Sequence, residues 1–131
     1  DEKSFSRELY MDLDQLQCMS RNGMYIGSHG FDHFWLDSLT AEKQESEIDK
    51  SIKFLELVNR STKNWVICYP YGAHNDSLIG ILKKKGCSMG FTTNPNIANI
   101  TKENAYTLSR LDTNDFPKLA NSKPNSLRMK I

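Results

Sequence analysis

The sequence predicts an α/β chain of about four parallel strands with flanking helices, too few to close the usual eight-stranded parallel barrel. It is therefore either a small open sheet or part of a larger (β/α) barrel. Three observations carry this. Short apolar runs alternate with amphipathic helical stretches, the links between them are short enough for βα units, and each polar cluster falls just after a predicted strand. The last observation favours the partial barrel, because sites in such folds are built on the rim at the C-terminal ends of the strands.

Leu9, Leu13, Leu16 and Met19 share one helical face and Asn22-Gly23 supplies a stop, which predicts a first helix of about four turns with that face inward. Met24-Tyr25-Ile26-Gly27-Ser28 follows as a buried strand. Thr40 can cap the next helix, with Glu42 near its positive end. The stripe Ile48, Ile52, Leu55 and Val58 faces the core, and Asp49 and Lys53 pair on the wet side. Trp65-Val66-Ile67-Cys68-Tyr69 is the second strand, stopped by Pro70 and Gly72. Asn75 or Asp76 caps a helix over 77–85, with Leu78, Ile79 and Leu82 inward and lysines at its negative end before Gly86. Strands are expected over 87–93 and 106–111, and the polar tail 118–131 is expected to be mobile. No internal repeat is visible.

The 131 residues, 38% hydrophobic and 25% charged, suit a soluble chain that is one domain, or the C-terminal portion of a larger one, spanning 1–131. The net charge is +1 and only Lys83 to Lys85 form a basic run, so no long basic face is available to a nucleic acid. No apolar stretch approaches the roughly 18 to 20 residues that cross a bilayer, and DEKSFSRELY lacks the regions of a signal peptide. The chain begins at Asp1 rather than methionine, from which an upstream segment is expected. Cys18, Cys68 and Cys87 are odd in number and widely spaced; they read as reduced, mostly buried thiols and lean toward a cytoplasmic location.

Three clusters carry chemistry. His29 and His33 stand four apart beyond the first strand, so a helical turn there would aim both rings at one divalent cation at about 2.0 to 2.1 Å, although two histidines need a third ligand, usually a carboxylate. The competing reading is a pair of ordinary core or surface histidines; Gly27 and Gly30, which permit close backbone approach, weigh against it. His74, alone in a polar turn, reads as surface. Tyr69-Pro70-Tyr71-Gly72 sets a rigid residue beside a permissive one, so that an amide N–H can face the rim as an oxyanion donor; a plain turn with two packing tyrosines is the alternative. Asp112-Thr113-Asn114-Asp115 either orients another side chain or caps the turn at Phe116-Pro117. Phe34 and Trp35, an adjacent aromatic pair, read as core packing.

Together and in this order the clusters resemble the NodB-homology polysaccharide deacetylases, a carbohydrate esterase group. His29 to His33 is similar to that family's second motif, H-S/T-x-x-H, with Gly30 in place of serine or threonine. Tyr69-Pro70-Tyr71-Gly72 resembles the third motif, R-x-P-Y, in its Y-P-Y-G variant, with Cys68 where the arginine stands. Gly90-Phe91-Thr92-Thr93 matches the common G-F/Y-x-T strand, and Arg110 to Asp115 looks like a fourth-motif segment. The likeness runs from about Leu9 to Pro117.

The resemblance implies a partial barrel of the polysaccharide deacetylase type and a metal-dependent hydrolase that removes acetyl groups from an acetylated sugar of a surface polysaccharide or its precursor. His29 and His33 would hold a divalent metal, zinc being the expected ion, and both must be neutral to do so. Tyr71, Asp112 and Asp115 are the expected catalytic residues, and Trp35, Tyr69, Pro70 and Tyr71 the expected substrate contacts. The Y-P-Y-G variant resembles enzymes of lipopolysaccharide or capsule assembly. Two family elements have no counterpart in the sequence: there is no Asp-Asp pair for the T-F-D-D motif that supplies the base and third ligand, and no late L-x-I-H. The chain alone is thus expected to turn over little or nothing. The rival readings are a non-catalytic carbohydrate-binding or assembly remnant, and an unrelated metallohydrolase with Asp112 or Asp115 as third ligand. A partial barrel should also expose strand edges that favour self-association.

Overall fold

The computed structural model describes residues 2–100, 105–113 and 119. Its elements are α1 (Glu2–Leu9), α2 (Leu13–Arg21), a 3₁₀ turn (Leu36–Ser38), α3 (Ala41–Val58), β1 (Val66–Cys68), a second 3₁₀ turn (Pro70–Gly72), α4 (Asp76–Lys84) and β2 (Met89–Phe91). Apart from Leu119, the tail 118–131 that was expected to be mobile lies outside the described residues.

β1 and β2 run parallel in the register Val66 to Met89, Ile67 to Gly90 and Cys68 to Phe91. Ser28 bridges Ile67 on the outer side of β1, and Leu108 bridges Phe91 on the outer side of β2, both in parallel. The four expected parallel segments therefore occur in the order Ser28, β1, β2, Leu108, but the outer two are single bridges rather than strands. The run at 24–28 is not buried as expected: Met24 and Tyr25 are 58% and 60% exposed. Only Ser28 engages the ladder there, with its N–H donating to Val66 O and its carbonyl accepting from Cys68 N–H, each at 2.9 Å.

Side chains alternate across a strand, so Trp65, Ile67 and Tyr69 share one face, and all three are buried. That face is covered by Leu36, by Ile48 and Leu55 of α3 and by Leu78 and Leu82 of α4. The stripe predicted for α3 is where it was expected, with Thr40 capping Lys43 N at 3.5 Å. Asp49, however, pairs with Lys85 at 2.8 Å and not with Lys53, and Lys85 also reaches Glu45 at 3.0 Å, which ties the end of α4 to α3. In α4 it is Ile81, with Leu78 and Leu82, that packs on the core cluster, rather than Ile79; Asn75 is the cap, accepting from Leu78 N at 2.9 Å.

The predicted first helix is divided. Asp12 and Gln15 form a reciprocal capping box at 2.8 and 2.9 Å that starts α2 afresh. No residue of α2 is fully buried; of the predicted apolar face Leu9 and Leu13 are exposed, at 59% and 39%, while Leu16 and Met19 are half-buried. α2 packs on α3, and Gln17 donates to Leu57 O at 2.7 Å.

Gln44, fully buried on α3, donates to Leu36 O at 2.8 Å and to Asn75 Oδ1 at 3.1 Å and accepts from Ser77 at 2.9 Å. This joins α3, the first 3₁₀ turn and the start of α4 without leaving a buried polar atom unpaired.

All three thiols are free; Cys87 is buried and Cys68 half-buried, while Cys18 is exposed, contrary to the mostly buried expectation. Burial pushes the Cys87 thiol up from 9.0 to about 11 and the Tyr69 phenol upward as well. Both groups hold their protons more tightly in the folded chain than in the unfolded one. The stabilising contribution of Cys87 is complete below about pH 9 and is lost as pH rises through about 11, and that of Tyr69 persists to higher pH. Denaturation midpoints are expected to fall across that window, with Cys87→Ala flattening the fall. Iodoacetamide at pH 8 should modify Cys18 much faster than Cys87, as peptide mass mapping will show.

Candidate metal centre and its aromatic rim

Because Ser28 lies beside β1, the chain leaving it emerges next to the end of that strand, and the loop 29–35 is folded back over that end. Three contacts shape it. Ser28 is buried and shares a 2.6 Å hydrogen bond with Ser51 of α3. Gly30 N–H donates back to Ser28 Oγ at 3.2 Å. Glu47 of α3, only 3% exposed, accepts from Phe31 N at 3.3 Å and Asp32 N at 2.9 Å through one carboxylate oxygen.

The loop is not the helical turn that the four-residue spacing suggested. It contains two left-handed residues, Gly30 at φ 75° and His33 at φ 58°. Glycine occupies that region freely; histidine does so at a cost, and such residues concentrate at functional sites. The rings converge all the same. His29 Nε2 and His33 Nε2 are 3.1 Å apart, with ring centroids 4.8 Å apart, and both side chains are solvent-exposed.

His29 Nδ1 lies 2.6 Å from the Cys68 carbonyl. A carbonyl only accepts, so Nδ1 carries the proton and the Nε2 lone pair of His29 faces His33. Two ring nitrogens this close, with a lone pair between them, need a proton or a cation as bridge. Anchoring the far nitrogen on a carbonyl is how metal-ligating histidines are held in orientation. The donor set thus fits two of the three protein ligands of a divalent metal. Among the described residues no cluster of three His, Cys, Asp or Glu is formed, so Asp112 does not join the pair as third ligand. Asp112 is exposed and accepts from Thr113 at 3.5 Å, and Asp115 lies outside the described residues.

Tyr71 stands over the pair. Its φ is 58°, its ring meets His33 edge-on at 4.9 Å, and it stacks on Trp35 at 4.4 Å with 7° between planes. Tyr71 and Trp35 are 51% and 55% exposed, and Phe34 is also exposed, so none of these rings is core packing. The Tyr71 amide finds no backbone acceptor among the described residues, leaving it available as a donor.

Two expected substrate contacts depart from expectation. Tyr69 is 1% exposed and donates to Tyr106 O at 2.8 Å, and Pro70 is fully buried, so neither has surface to offer a ligand. The cause is strand alternation: Tyr69 continues the buried face of Trp65 and Ile67. Together these two residues form the floor from which Tyr71 projects. His74 is half-buried rather than a surface residue, its ring stacked on Tyr69 at 5.0 Å and its Nδ1 2.8 Å from Gly72 O. Thr92 is buried and donates to Leu108 O at 3.2 Å, a structural role.

Glu47 and Ser51 were missed by sequence reading. The signal was present, because Gln44, Glu47, Ser51, Leu55 and Val58 continue the helical period of the apolar stripe, and polar residues on a buried stripe must have partners. Beside the loop, Asp32, Phe34, Leu39, Lys43, Ser46, Glu47 and Lys50 line a cleft of about 390 Å³. Within it Lys50 pairs with Asp32 at 3.2 Å, which raises the lysine's pKa.

A sequence model of the polysaccharide deacetylase family matches residues 6–90, and the chain belongs to that family. It is 32% identical over 110 residues to YxkH of Bacillus subtilis (strain 168), a protein assigned by name to the polysaccharide deacetylases; the match covers 83% of this chain and 38% of YxkH. The deacetylase PplD of Streptococcus pyogenes, solved in complex with acetate, superposes with a TM-score of 0.69 at 29% identity over 77% of this chain and 44% of PplD. The deacetylase domain of BpsB from Bordetella bronchiseptica superposes at 0.67 and 18% identity, over 78% of this chain and 48% of that domain, which speaks for the fold alone. The chain thus spans less than half the length of each of these relatives.

Gly72, at φ 75°, sets the turn beneath Tyr71, and a Cβ there would run into the Thr93 side chain and lie 3.1 Å from Thr93 N. Gly72→Ala is expected to destabilise the chain by roughly 1–3 kcal/mol in urea denaturation, from backbone strain and this clash.

Proposed function

We propose that this chain contributes the metal-binding histidines and the aromatic rim of a divalent-metal-dependent hydrolase that removes acetyl groups from an acetylated sugar of a surface polysaccharide or its precursor. The observation that carries the reading is the 3.1 Å convergence of His29 and His33 at an exposed strand end, with His29 anchored on Cys68 O. Family membership supports the reaction class, and PplD, the structural neighbour of known deacetylase name, was solved with acetate.

When bound, a zinc or similar ion would polarise the acetyl carbonyl and make a bound water acidic enough to react near neutral pH. This chain's own residues do the rest of what can be assigned. His29 and His33 offer neutral Nε2 lone pairs, and the Cys68 carbonyl keeps the proton of His29 on Nδ1. The Tyr71 amide, without a backbone acceptor among the described residues, would donate to the oxygen that gains charge as the acetyl carbon becomes tetrahedral. The stacked Trp35 and Tyr71 rings offer an apolar flat surface to a sugar face. The proton-accepting carboxylate is assigned to no described residue, and Asp112 and Asp115 remain candidates for orienting roles.

A second reading is a non-catalytic carbohydrate-binding or assembly domain, for which the stacked Trp35 and Tyr71 rings are the sugar-facing surface. The two separate on one measurement. Acetate release from a panel of acetylated glycans by the full-length gene product, abolished by a chelator and restored by zinc, is expected for the enzyme; glycan binding without acetate is expected for the other. His29→Ala should abolish tight zinc binding by the complete protein, and unchanged affinity in calorimetry would remove His29 from the site. The Ser28 side of the sheet, with Met24 and Tyr25 exposed, further supports self-association of this chain; a clean monomer in light scattering argues against it.

A further inference from the structure

We propose that Glu47 is a positioning residue for the metal centre: its carboxylate, by holding the Phe31 and Asp32 amides, sets the left-handed turn that turns His33 toward His29. The proposal rests on the metal-binding reading above.

Glu47 is 3% exposed, which is unusual for a glutamate, and its two oxygens are divided in use. One accepts both loop amides, at 3.3 and 2.9 Å. The other takes the Lys50 ammonium at 3.5 Å, and Lys50 also holds Asp32 at 3.2 Å. A buried carboxylate is retained where charge-assisted hydrogen bonds and a cation offset its desolvation, and here all of those bonds converge on residues 31 and 32. The next residue, His33, is at φ 58°, a conformation that a histidine keeps only where its surroundings impose it. Ser51, one turn along the same helix, holds the other end of the loop through Ser28 at 2.6 Å. α3 thus holds the chain at Ser28 and again at residues 31 and 32, on either side of His29 and just before His33, whose ring nitrogens meet at 3.1 Å.

The test separates positioning from bulk stability. Glu47→Met keeps the volume and removes the acceptor. Glu47→Gln keeps one acceptor oxygen for the two amides, and Lys50 retains Asp32. Gln44→Met, equally buried on the same helix but bonded to Leu36 and Asn75, is the control for stability alone. Zinc affinity of the chain is measured by calorimetry, with His33→Ala as baseline, alongside melting temperature and amide hydrogen exchange of the metal-free protein.

Glu47→Met is expected to weaken zinc binding by about tenfold or more and to abolish protection of the Phe31 and Asp32 amides, while Glu47→Gln stays within about threefold of wild type and Gln44→Met lowers only the melting temperature. Zinc affinity within about twofold of wild type in Glu47→Met, or an equal loss in Glu47→Gln, overturns the proposal. Should Glu47→Met not fold, Glu47→Asp, one methylene short of the amides, is held to the same criteria. If wild type binds zinc no better than His33→Ala, the metal-binding reading fails by itself. Positioning is then decided in the metal-free protein: loss of amide protection and of the His29–His33 ring contact by NMR in Glu47→Met sustains it, and their persistence overturns it.

Discussion

The pairing of Ser28 with β1 is the constraint on which the site depends. Two backbone hydrogen bonds, Ser28 N to Val66 O and Cys68 N to Ser28 O, bring residues 38 and 40 positions apart into register. That register puts His29 beside the Cys68 carbonyl, which in turn chooses its tautomer. A shift of one residue would send His29 to the opposite face and separate it from both His33 and Cys68. The convergence of the two histidines is thus a consequence of strand pairing and not of their local spacing.

Helix α3 connects the hydrophobic core to this geometry. Its Ile48 and Leu55 cover the β1 face, and between and beside them the same buried stripe carries Gln44, Glu47 and Ser51. Each of these polar groups has a partner in a different segment: Gln44 in the first 3₁₀ turn and the α4 cap, Glu47 in the histidine loop, Ser51 at Ser28. One helix therefore registers the sheet, the loop and α4 against one another, and packing of the core carries directly into the placement of the site.

The turn after β1 has a similar economy. Tyr69 and Pro70 are buried and so cannot meet a ligand, yet they are what lifts Tyr71 out of the core into a left-handed position against His33 and Trp35. Gly72 and Thr93 close the underside of that turn. The aromatic rim is accordingly built from two separate segments, one after the Ser28 bridge and one after β1, as expected of sites at the C-terminal edge of such sheets.

Much of this was legible in the residues themselves. The apolar stripe of α3, the caps at Thr40 and Asn75, the alternation of Trp65, Ile67 and Tyr69 and the order of the four parallel segments all follow from local periodicity and capping chemistry, which do not need tertiary contacts to be read. The family resemblance was likewise legible in short motifs, and the match over 6–90 agrees with it. Other features were decided only on folding. Asp12 and Gln15 divided a helix that periodicity alone would have continued, and against α3 the face of α2 came to be only half-buried, at Leu16 and Met19. Tyr69 and Tyr71, two residues apart in one motif, went to the core and the rim. His29 and His33 met through left-handed turns imposed from α3, not through a helix. The physical reason is common to all of these: periodicity states which side chains share a face, whereas the partner of that face, and the backbone strain it can sustain, depend on residues distant in the chain.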